Sequence, residues 1–173
     1  MLLEGSCHCG KIAFTCESST PYPYMICYCS ICRKTQGGSG GCINIRAERE
    51  TFKLVRGAQY LKVYHAIRNR EDPVEKQELC GNLRYFCSEC ASYLWADDPQ
   101  WFDSIYPYAS AFDTELPVPP HRVHLLLSSG QKWADPRSLT KAKEASGHED
   151  QYFEKYPDLS IVDWHKKYAN LSK

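Results

Sequence analysis

The chain has no excess of charge of either sign. Lysine and arginine together number 21, and so do aspartate and glutamate, so the formal net charge is zero over 173 residues. A nucleic-acid-binding domain usually carries a basic patch or a strongly basic pI. Only Arg33-Lys34 and the stretch around Arg68 and Arg70 are locally basic, which is typical of an ordinary solvated surface. The composition therefore predicts no nucleic-acid partner.

Long apolar runs are also missing. No stretch approaches the roughly 18 apolar residues that a membrane-spanning helix requires. The segment from Met1 to Gly5 contains neither the basic part nor the apolar part of a secretory signal peptide. We therefore expect no membrane association and a cytoplasmic location. In that reducing compartment, closely spaced cysteines bind metal more often than they form disulfides.

Several common catalytic motifs are absent, and so are repeats and low-complexity tracts. The sequence has no G-x-S-x-G nucleophile, no G-x-x-x-x-G-K-[ST] phosphate loop and no H-E-x-x-H metalloprotease helix. The glycine-dense segment 37–41 lacks the strand–loop–helix context of a phosphate site. We interpret it as permissive backbone that a ligand could approach closely.

Cysteine, in contrast, is abundant and clustered. Seven of the ten cysteines fall into two pairs and one triplet: Cys7-x-Cys9, Cys27-x-Cys29-x-x-Cys32 and Cys87-x-x-Cys90. A closed four-ligand zinc site is structural, whereas a site with three protein ligands keeps a coordination position for chemistry. Two pairs and one triplet match one site of each kind.

The two outer pairs, Cys7/Cys9 and Cys87/Cys90, each supply two thiolates from a tight turn. One zinc bound by all four would join the first strand to a late hairpin, with Zn–S distances of roughly 2.3 Å. His8 lies between the first two thiolates, and we expect it at the surface and not among the ligands.

The triplet leaves alternatives open. Three thiolates on Zn²⁺ give a net charge of −1, and an external thiolate could occupy the fourth position and be held deprotonated near pH 7. Alternatively, Cys42 or Cys80 completes a second structural site, or the three cysteines share a redox disulfide. Cys16, Cys42 and Cys80 are most simply explained as core or strand residues.

The chain reads as a single, mainly β domain over residues 1–173, with one or two short helices. Ser30 is placed to start a helix that ends at Gly37-Gly38, and the segment 160–167 is a second candidate, docked through Ile161 and Trp164. Short runs of β-branched and aromatic residues predict strands. They are 12–15, 42–45, 51–55, 60–67, 82–86, 92–96 and 123–127.

The three cysteine clusters occur in an order and with spacings that resemble a known family. The runs Gly5-Ser-Cys7-His-Cys9-Gly10, Cys27-Tyr-Cys29-Ser-Ile-Cys32-Arg-Lys34 and Phe86-Cys-Ser-Glu-Cys90 are similar to those of the glutathione-dependent formaldehyde-activating enzyme family, which includes centromere protein V. The resemblance spans about residues 4–135, including the Pro-Pro-His-Arg-Val-His run and Trp133. Residues 136–173 form a tail, in which Asp163-Trp164-His165 resembles some members.

The resemblance implies a fold, two metal sites and a reaction. The fold is a set of twisted antiparallel β sheets organised around a structural zinc. By resemblance Cys7, Cys9, Cys87 and Cys90 hold that zinc, and Cys27, Cys29 and Cys32 hold a second, catalytic and possibly labile one. The namesake reaction joins formaldehyde to glutathione as co-substrate, giving S-hydroxymethylglutathione, so the chain is expected to be a zinc-dependent carbon–sulfur lyase acting on a small thiol, an aldehyde or their adduct.

Two features concern the substrate. Arg33 and Lys34 follow the triplet directly and could meet a carboxylate of glutathione, although an exposed helix face is the simpler interpretation. Ala91 stands where a glycine usually follows the last cysteine, which could alter that turn.

The alternative function is a non-catalytic zinc scaffold that binds a partner, as centromere protein V suggests, but the neutral chain lacks a basic extension for it.

Overall fold

The computed structural model describes residues 1–36, 38–139 and 151–168. Contacts along the chain group it into two compact units, Met1–Pro21 with Ile45–Glu115 and Tyr22–Asn44 with Leu116–Lys173. Each unit contains its own sheet structure and its own cysteine cluster. A single domain over residues 1–173 stays a prediction.

The described residues are mainly β, as predicted. The strands are β1 (Leu2–Ser6), β2 (Ala13–Glu17), β3 (Met25–Cys27), β4 (Cys42–Ile43), β5 (Ala47–Glu48), β6 (Lys53–Arg56), β7 (Leu61–Ile67), β8 (Leu79–Cys87), β9 (Tyr93–Asp97), β10 (Ser104–Pro107), β11 (Val123–Leu125) and β12 (Gln151–Tyr152). The helices are α1 (Ser30–Gln36), the single turn α2 (Pro136–Leu139) and α3 (Ile161–Tyr168). Every strand predicted from the sequence overlaps an observed one.

The first unit contains two antiparallel sheets, with strand orders β1-β2-β6 and β5-β10-β9-β8-β7. Alternate residues of β1 and β2 are buried, as expected for strands with one face on a core. Phe14 of β2 lies at the centre of this core, where its ring contacts those of Phe52, Trp95 and Phe112 at 5.4–5.7 Å. This aromatic packing fixes β2 and, through it, the turn that carries the first cysteine pair.

The second unit contains a mixed sheet with strand order β12-β11-β3-β4. β3 pairs with β4 in antiparallel fashion but with β11 in parallel, and β11 pairs with β12 in parallel. The predicted antiparallel sheets are thus present in the first unit, and the sheet of the second unit is mixed. A parallel pair needs a long connection, and the chain between β3 and β11 supplies one because it runs through the whole of residues 28–122.

The two longer helices lie where the sequence predicts them. α1 begins at Ser30 immediately after β3. α3 is capped by Ser160, whose hydroxyl accepts a hydrogen bond from the Asp163 N–H at 3.1 Å. Trp164 docks α3 by stacking on Tyr24 with a ring separation of 3.7 Å, which confirms the docking role predicted for it. Among the described residues, no helix combines the length and apolarity that crossing a membrane requires.

Candidate metal centres

The outer cysteine pairs meet in the first unit. Cys7 and Cys9 follow β1, and Cys87 and Cys90 lie at the turn between β8 and β9. The sulfurs of Cys7 and Cys9 are 3.5 Å apart, those of Cys9 and Cys87 are 3.8 Å apart, and all four lie within 4.8 Å of one another. The structure thus brings together the four thiols that the sequence pairs across about 80 residues.

The spacing of these sulfurs fits a tetrahedral zinc site. With Zn–S bonds of about 2.3 Å, tetrahedral geometry places neighbouring sulfurs about 3.8 Å apart. Burial raises the pKa of Cys90, but hydrogen bonding from Ser92 and the backbone outweighs it and lowers that pKa to about 6. The Ile12 N–H also donates to the Cys7 sulfur at 3.2 Å. At Cys90 the donors favour the thiolate, the form in which cysteine binds metal, whereas burial raises the pKa of Cys87.

Both cysteine turns are closed in the same way. The Gly10 N–H donates to the Cys7 carbonyl at 2.8 Å, and the Ala91 N–H donates to the Cys87 carbonyl at 2.9 Å. Gly10 and Ala91 both have a left-handed backbone, with φ of 72° and 58°. The alanine therefore adopts the conformation that glycine usually provides, and the turn keeps its shape.

The triplet forms a second cluster, in the second unit. Cys27 ends β3, Cys32 lies in the first turn of α1, and Cys29 is in the short link between them. The three sulfurs lie within 4.8 Å of one another, and the Cys32 N–H donates to the Cys29 sulfur at 3.3 Å. The change from strand to helix directs three closely spaced side chains to one point.

Without a cation, the thiolates of Cys27, Cys29 and Cys32 would repel one another. The thiols of Cys29 and Cys32, together with burial, raise the pKa of Cys27 above its ordinary value. The charged form is disfavoured because it would stand beside two further thiolates. A divalent cation removes this repulsion, so the donor set fits a bound Zn²⁺.

The other cysteines lie in strands and His8 is exposed, as expected. Cys16 is buried in β2, where burial raises its pKa to about 12. Cys42 lies in β4 directly opposite Cys27, and Cys80 lies in β8. Neither belongs to a cluster of three or more possible ligands among the described residues, and exposed His8 does not either.

The glycine-dense segment serves internal packing more than ligand access. A Cβ on Gly41 would lie 2.8 Å from the Ile26 side chain and 3.1 Å from the Cys27 carbonyl. A Cβ on Gly40 would lie 2.3 Å from that of Ala134. The interpretation as a wall open to a ligand is therefore wrong at these two positions; Gly37 lies outside the described residues.

Arg33 and Lys34 project from α1 next to the triplet. Arg33 is half-buried, and its Nε donates to the Ser129 carbonyl at 3.1 Å. Lys34 is exposed. The Arg33 guanidinium thus donates one of its N–H groups to the turn after β11, whereas the Lys34 ammonium faces solvent.

Sequence reasoning missed a buried contact beside the triplet. Tyr28, between the first two cysteines, places its hydroxyl 3.0 Å from Nδ1 of His124. Both side chains are about 95% buried. The two residues are 96 positions apart, so spacing alone could not pair them. The alternation Val123-His124-Leu125 was the available signal, because it marks a polar side chain inside a buried strand.

Comparison with known proteins gives a consistent result. The profile of the glutathione-dependent formaldehyde-activating enzyme family matches residues 2–128. A Halomonas elongata protein named "Putative glutathione-dependent formaldehyde-activating enzyme" is 45% identical over 168 residues, which cover 96% of each chain. The crystal structure of a Rhodobacter sphaeroides protein has the same fold, with a TM-score of 0.51 and 18% identity, covering 87% of this chain and 99% of the other.

The profile match includes all three cysteine clusters, and the Halomonas relative extends the similarity over nearly the whole length. The cluster geometry and these matches agree with the resemblance carried by the cysteine spacings. The chain belongs to the glutathione-dependent formaldehyde-activating enzyme family.

Proposed function

We propose that this protein is a zinc-dependent carbon–sulfur lyase that forms and cleaves the adduct of glutathione and formaldehyde, S-hydroxymethylglutathione. The observation that carries the proposal is the three-thiol cluster of Cys27, Cys29 and Cys32. Among the described residues this cluster contains three possible ligands, and a three-ligand site keeps a position for an external group. We assign the four-thiol cluster of the outer pairs to a structural zinc.

The reaction requires one bond to form at sulfur and one proton to move. The thiol sulfur of glutathione adds to the carbonyl carbon of formaldehyde, and the thiol proton ends on the carbonyl oxygen. Cys27, Cys29 and Cys32 would hold the zinc ion, which would supply a site for the thiolate and Lewis acidity for the carbonyl. Because the three protein thiolates are soft ligands, the site favours a thiol over harder ligands.

The chain's own residues contribute orientation and charge. The β3–α1 junction holds the three sulfurs within 4.8 Å of one another, as one metal ion would require. Exposed Lys34 can contact a carboxylate of glutathione, and Arg33 can do so with the N–H groups that remain after its bond to Ser129. We place this activity in a reducing cytoplasm, where closely spaced cysteines stay available to bind metal.

Titration calorimetry with glutathione tests the proposal. Wild-type protein loaded with zinc is compared with Cys29→Ser, which removes one triplet ligand and leaves the outer site intact. We expect wild type to bind glutathione, with weaker binding as pH falls because protons compete for the thiol. S-methylglutathione, which lacks a free thiol, is the ligand control and should bind far more weakly.

Equal binding by wild type and Cys29→Ser would show that the thiol does not meet the triplet. That result, with one tightly held zinc ion per chain, would favour the non-catalytic scaffold. The reaction itself is checked by exchange NMR, in which the protein should accelerate exchange between formaldehyde hydrate and S-hydroxymethylglutathione and Cys29→Ser should not.

A further inference from the structure

We propose that the buried pair Tyr28–His124 is a positioning device for the triplet metal site. The hydrogen bond between them fixes the link between Cys27 and Cys29, so that both sulfurs are directed to one metal ion. This inference rests on the proposed metal role of the triplet. It assigns a function to two residues that are not ligands and do not contact the substrate.

Tyr28 is anchored to β11 at both of its ends. Its backbone N–H donates to the Leu125 carbonyl at 3.0 Å, and its hydroxyl lies 3.0 Å from Nδ1 of His124. The ring packs close to Gly41, since a Cβ there would lie 3.2 Å from a ring carbon of Tyr28. One residue of the link between two ligands is thus held by the neighbouring strand and by the loop after α1.

His124 lies on the side of the sheet opposite Cys27. In the parallel register Leu125 pairs with Cys27, whereas His124 pairs with Ile26, and successive side chains alternate between faces. The Tyr28–His124 bond therefore supports the link from behind the metal site. This placement explains how the pair can act on the ligands without contacting the metal.

His124 is itself held by the segment that follows the family match. Its partner across the sheet is Tyr152 of β12, and the two rings stack at 4.9 Å with an angle of 12° between their planes. The Phe153 N–H donates to the His124 carbonyl at 2.7 Å. β12 thus supports His124, and His124 in turn supports Tyr28 and the link between Cys27 and Cys29.

The link is the part of the site that most needs such support. Cys27 is fixed by strand pairing and Cys32 by α1, and Cys29 is tied to α1 by the Arg33 N–H, which donates to the Cys29 carbonyl at 3.0 Å. Tyr28 is the residue that joins the strand ligand to the helix ligands, and a link that is not fixed must be ordered when metal binds, which weakens binding. Loss of a residue that orients a metal ligand from outside typically lowers affinity by roughly 10- to 100-fold. Because Tyr28 acts through the backbone, we expect the lower end, about tenfold.

Zinc competition with a chromogenic chelator tests this in the intact, zinc-loaded chain. Tyr28→Phe removes the hydroxyl and keeps the ring, and His124→Leu removes the partner nitrogen. Both should weaken the labile zinc about tenfold and leave the tight zinc unchanged. His124→Asn keeps a polar group near the position of Nδ1 and should restore most of the affinity.

Matched controls come from the same unit. Tyr24→Phe alters a tyrosine that is 3% exposed just before β3, and His121→Asn alters a histidine that is 2% exposed just before β11. His121 accepts a hydrogen bond from the Trp164 indole at 3.0 Å. Neither residue belongs to the link between Cys27 and Cys29, so neither substitution should alter the affinity of the labile zinc.

Cobalt substitution gives a second readout that general destabilisation would not change. The visible bands of Co²⁺ bound to thiolates report ligand geometry, and subtracting the Cys29→Ser spectrum isolates the triplet site. Tyr28→Phe should shift or broaden these bands at full cobalt occupancy, whereas Tyr24→Phe should leave them unchanged.

Two results would overturn the proposal. One is wild-type affinity and cobalt bands in both Tyr28→Phe and His124→Leu; the other is an equal loss in the two control variants. If His124→Leu does not fold, Tyr28→Phe decides alone. A Cys29→Ser protein that still binds two zinc ions would instead refute the proposed function, so the two failures are distinct.

Discussion

At the scale of single residues, the backbone of Ala91 is strained. Its φ of 58° lies in the left-handed region, which costs a residue with a Cβ roughly 1–2 kcal/mol and costs glycine almost nothing. The turn keeps this conformation because the Ala91 N–H bonds to the Cys87 carbonyl beside two of the four outer thiols. The turn that carries Cys87 and Cys90 therefore imposes a left-handed backbone on Ala91, although alanine disfavours that conformation.

Ala91→Gly should therefore stabilise the protein by up to about 1 kcal/mol, because relief of strain exceeds the extra entropy of an unfolded glycine. Denaturant unfolding of the zinc-loaded protein measures the change. The control is Ala58→Gly, at a residue that begins a short 3₁₀ turn and has no positive φ, where the same exchange should destabilise. If Ala91→Gly destabilises the protein, the backbone of Ala91 is not strained.

His165 makes the docking of α3 depend on pH. Its Nδ1 pairs with the Ile161 carbonyl at 2.8 Å, and its Nε2 accepts from the Tyr22 N–H at 3.3 Å, so the neutral ring is required. Burial lowers the pKa of His165 below its ordinary value of 6.5. The neutral form is favoured on folding, so the stabilisation is complete above about pH 6.5 and declines as pH falls toward the lowered folded pKa.

We expect unfolding midpoints to fall between pH 7.5 and 5, accompanied by a change in tryptophan fluorescence, because Trp164 is the neighbour of His165 on α3. His165→Gln removes this titration and keeps a polar side chain, so its midpoint should vary less with pH. If the unfolding midpoint varies equally with pH in both proteins, a group other than His165 causes the pH dependence.

At the scale of elements, the two clusters differ in what supports them. The outer thiols come from two turns that a metal ion bound by all four would link, whereas the triplet is carried by one strand, one link and one helix turn. Removing a ligand from the first cluster separates two turns; removing one from the second leaves the strand pairing of β3 with β4 and β11 in place.

Cys87→Ala should therefore cost several kcal/mol or prevent folding, because structural zinc binding supplies on the order of 10 kcal/mol in small zinc peptides. Cys29→Ser should fold, bind one zinc and lose no more than about 1–2 kcal/mol. Metal analysis and thermal unfolding of the two variants test this pair. A Cys29→Ser protein as unstable as Cys87→Ala would make the triplet structural.

The sequence predicts the parts of this molecule that depend on short spacing. The Cys-x-Cys and Cys-x-x-Cys runs place ligands on the same turn, so the clusters Cys7/Cys9 and Cys27/Cys29/Cys32 could be recognised directly. Helix α1 and the docking of Trp164 follow from equally local patterns. The parallel pairing of β3 with β11, and the contact of Tyr28 with His124, depend on residues almost 100 positions apart and carry no local signal.

At the scale of the whole molecule, the two clusters predict zinc release in two steps. The triplet offers three thiols, and the neighbouring thiols and burial raise the pKa of Cys27, so protons compete there for the metal. The outer site offers four thiols, and burial raises the pKa of its Cys87 as well. The smaller number of ligands therefore favours earlier loss of zinc from the triplet.

Stepwise addition of a chelator at pH 7 should therefore remove one zinc per chain without changing the far-ultraviolet circular dichroism, and the second only with loss of β structure. Cys29→Ser should show only the second step, which makes it the control for assigning the first. Lowering the pH should move the first step to lower chelator concentration, because zinc must then displace protons from more of the triplet thiols. Simultaneous loss of both ions would mean that the two sites do not differ as their ligand sets indicate.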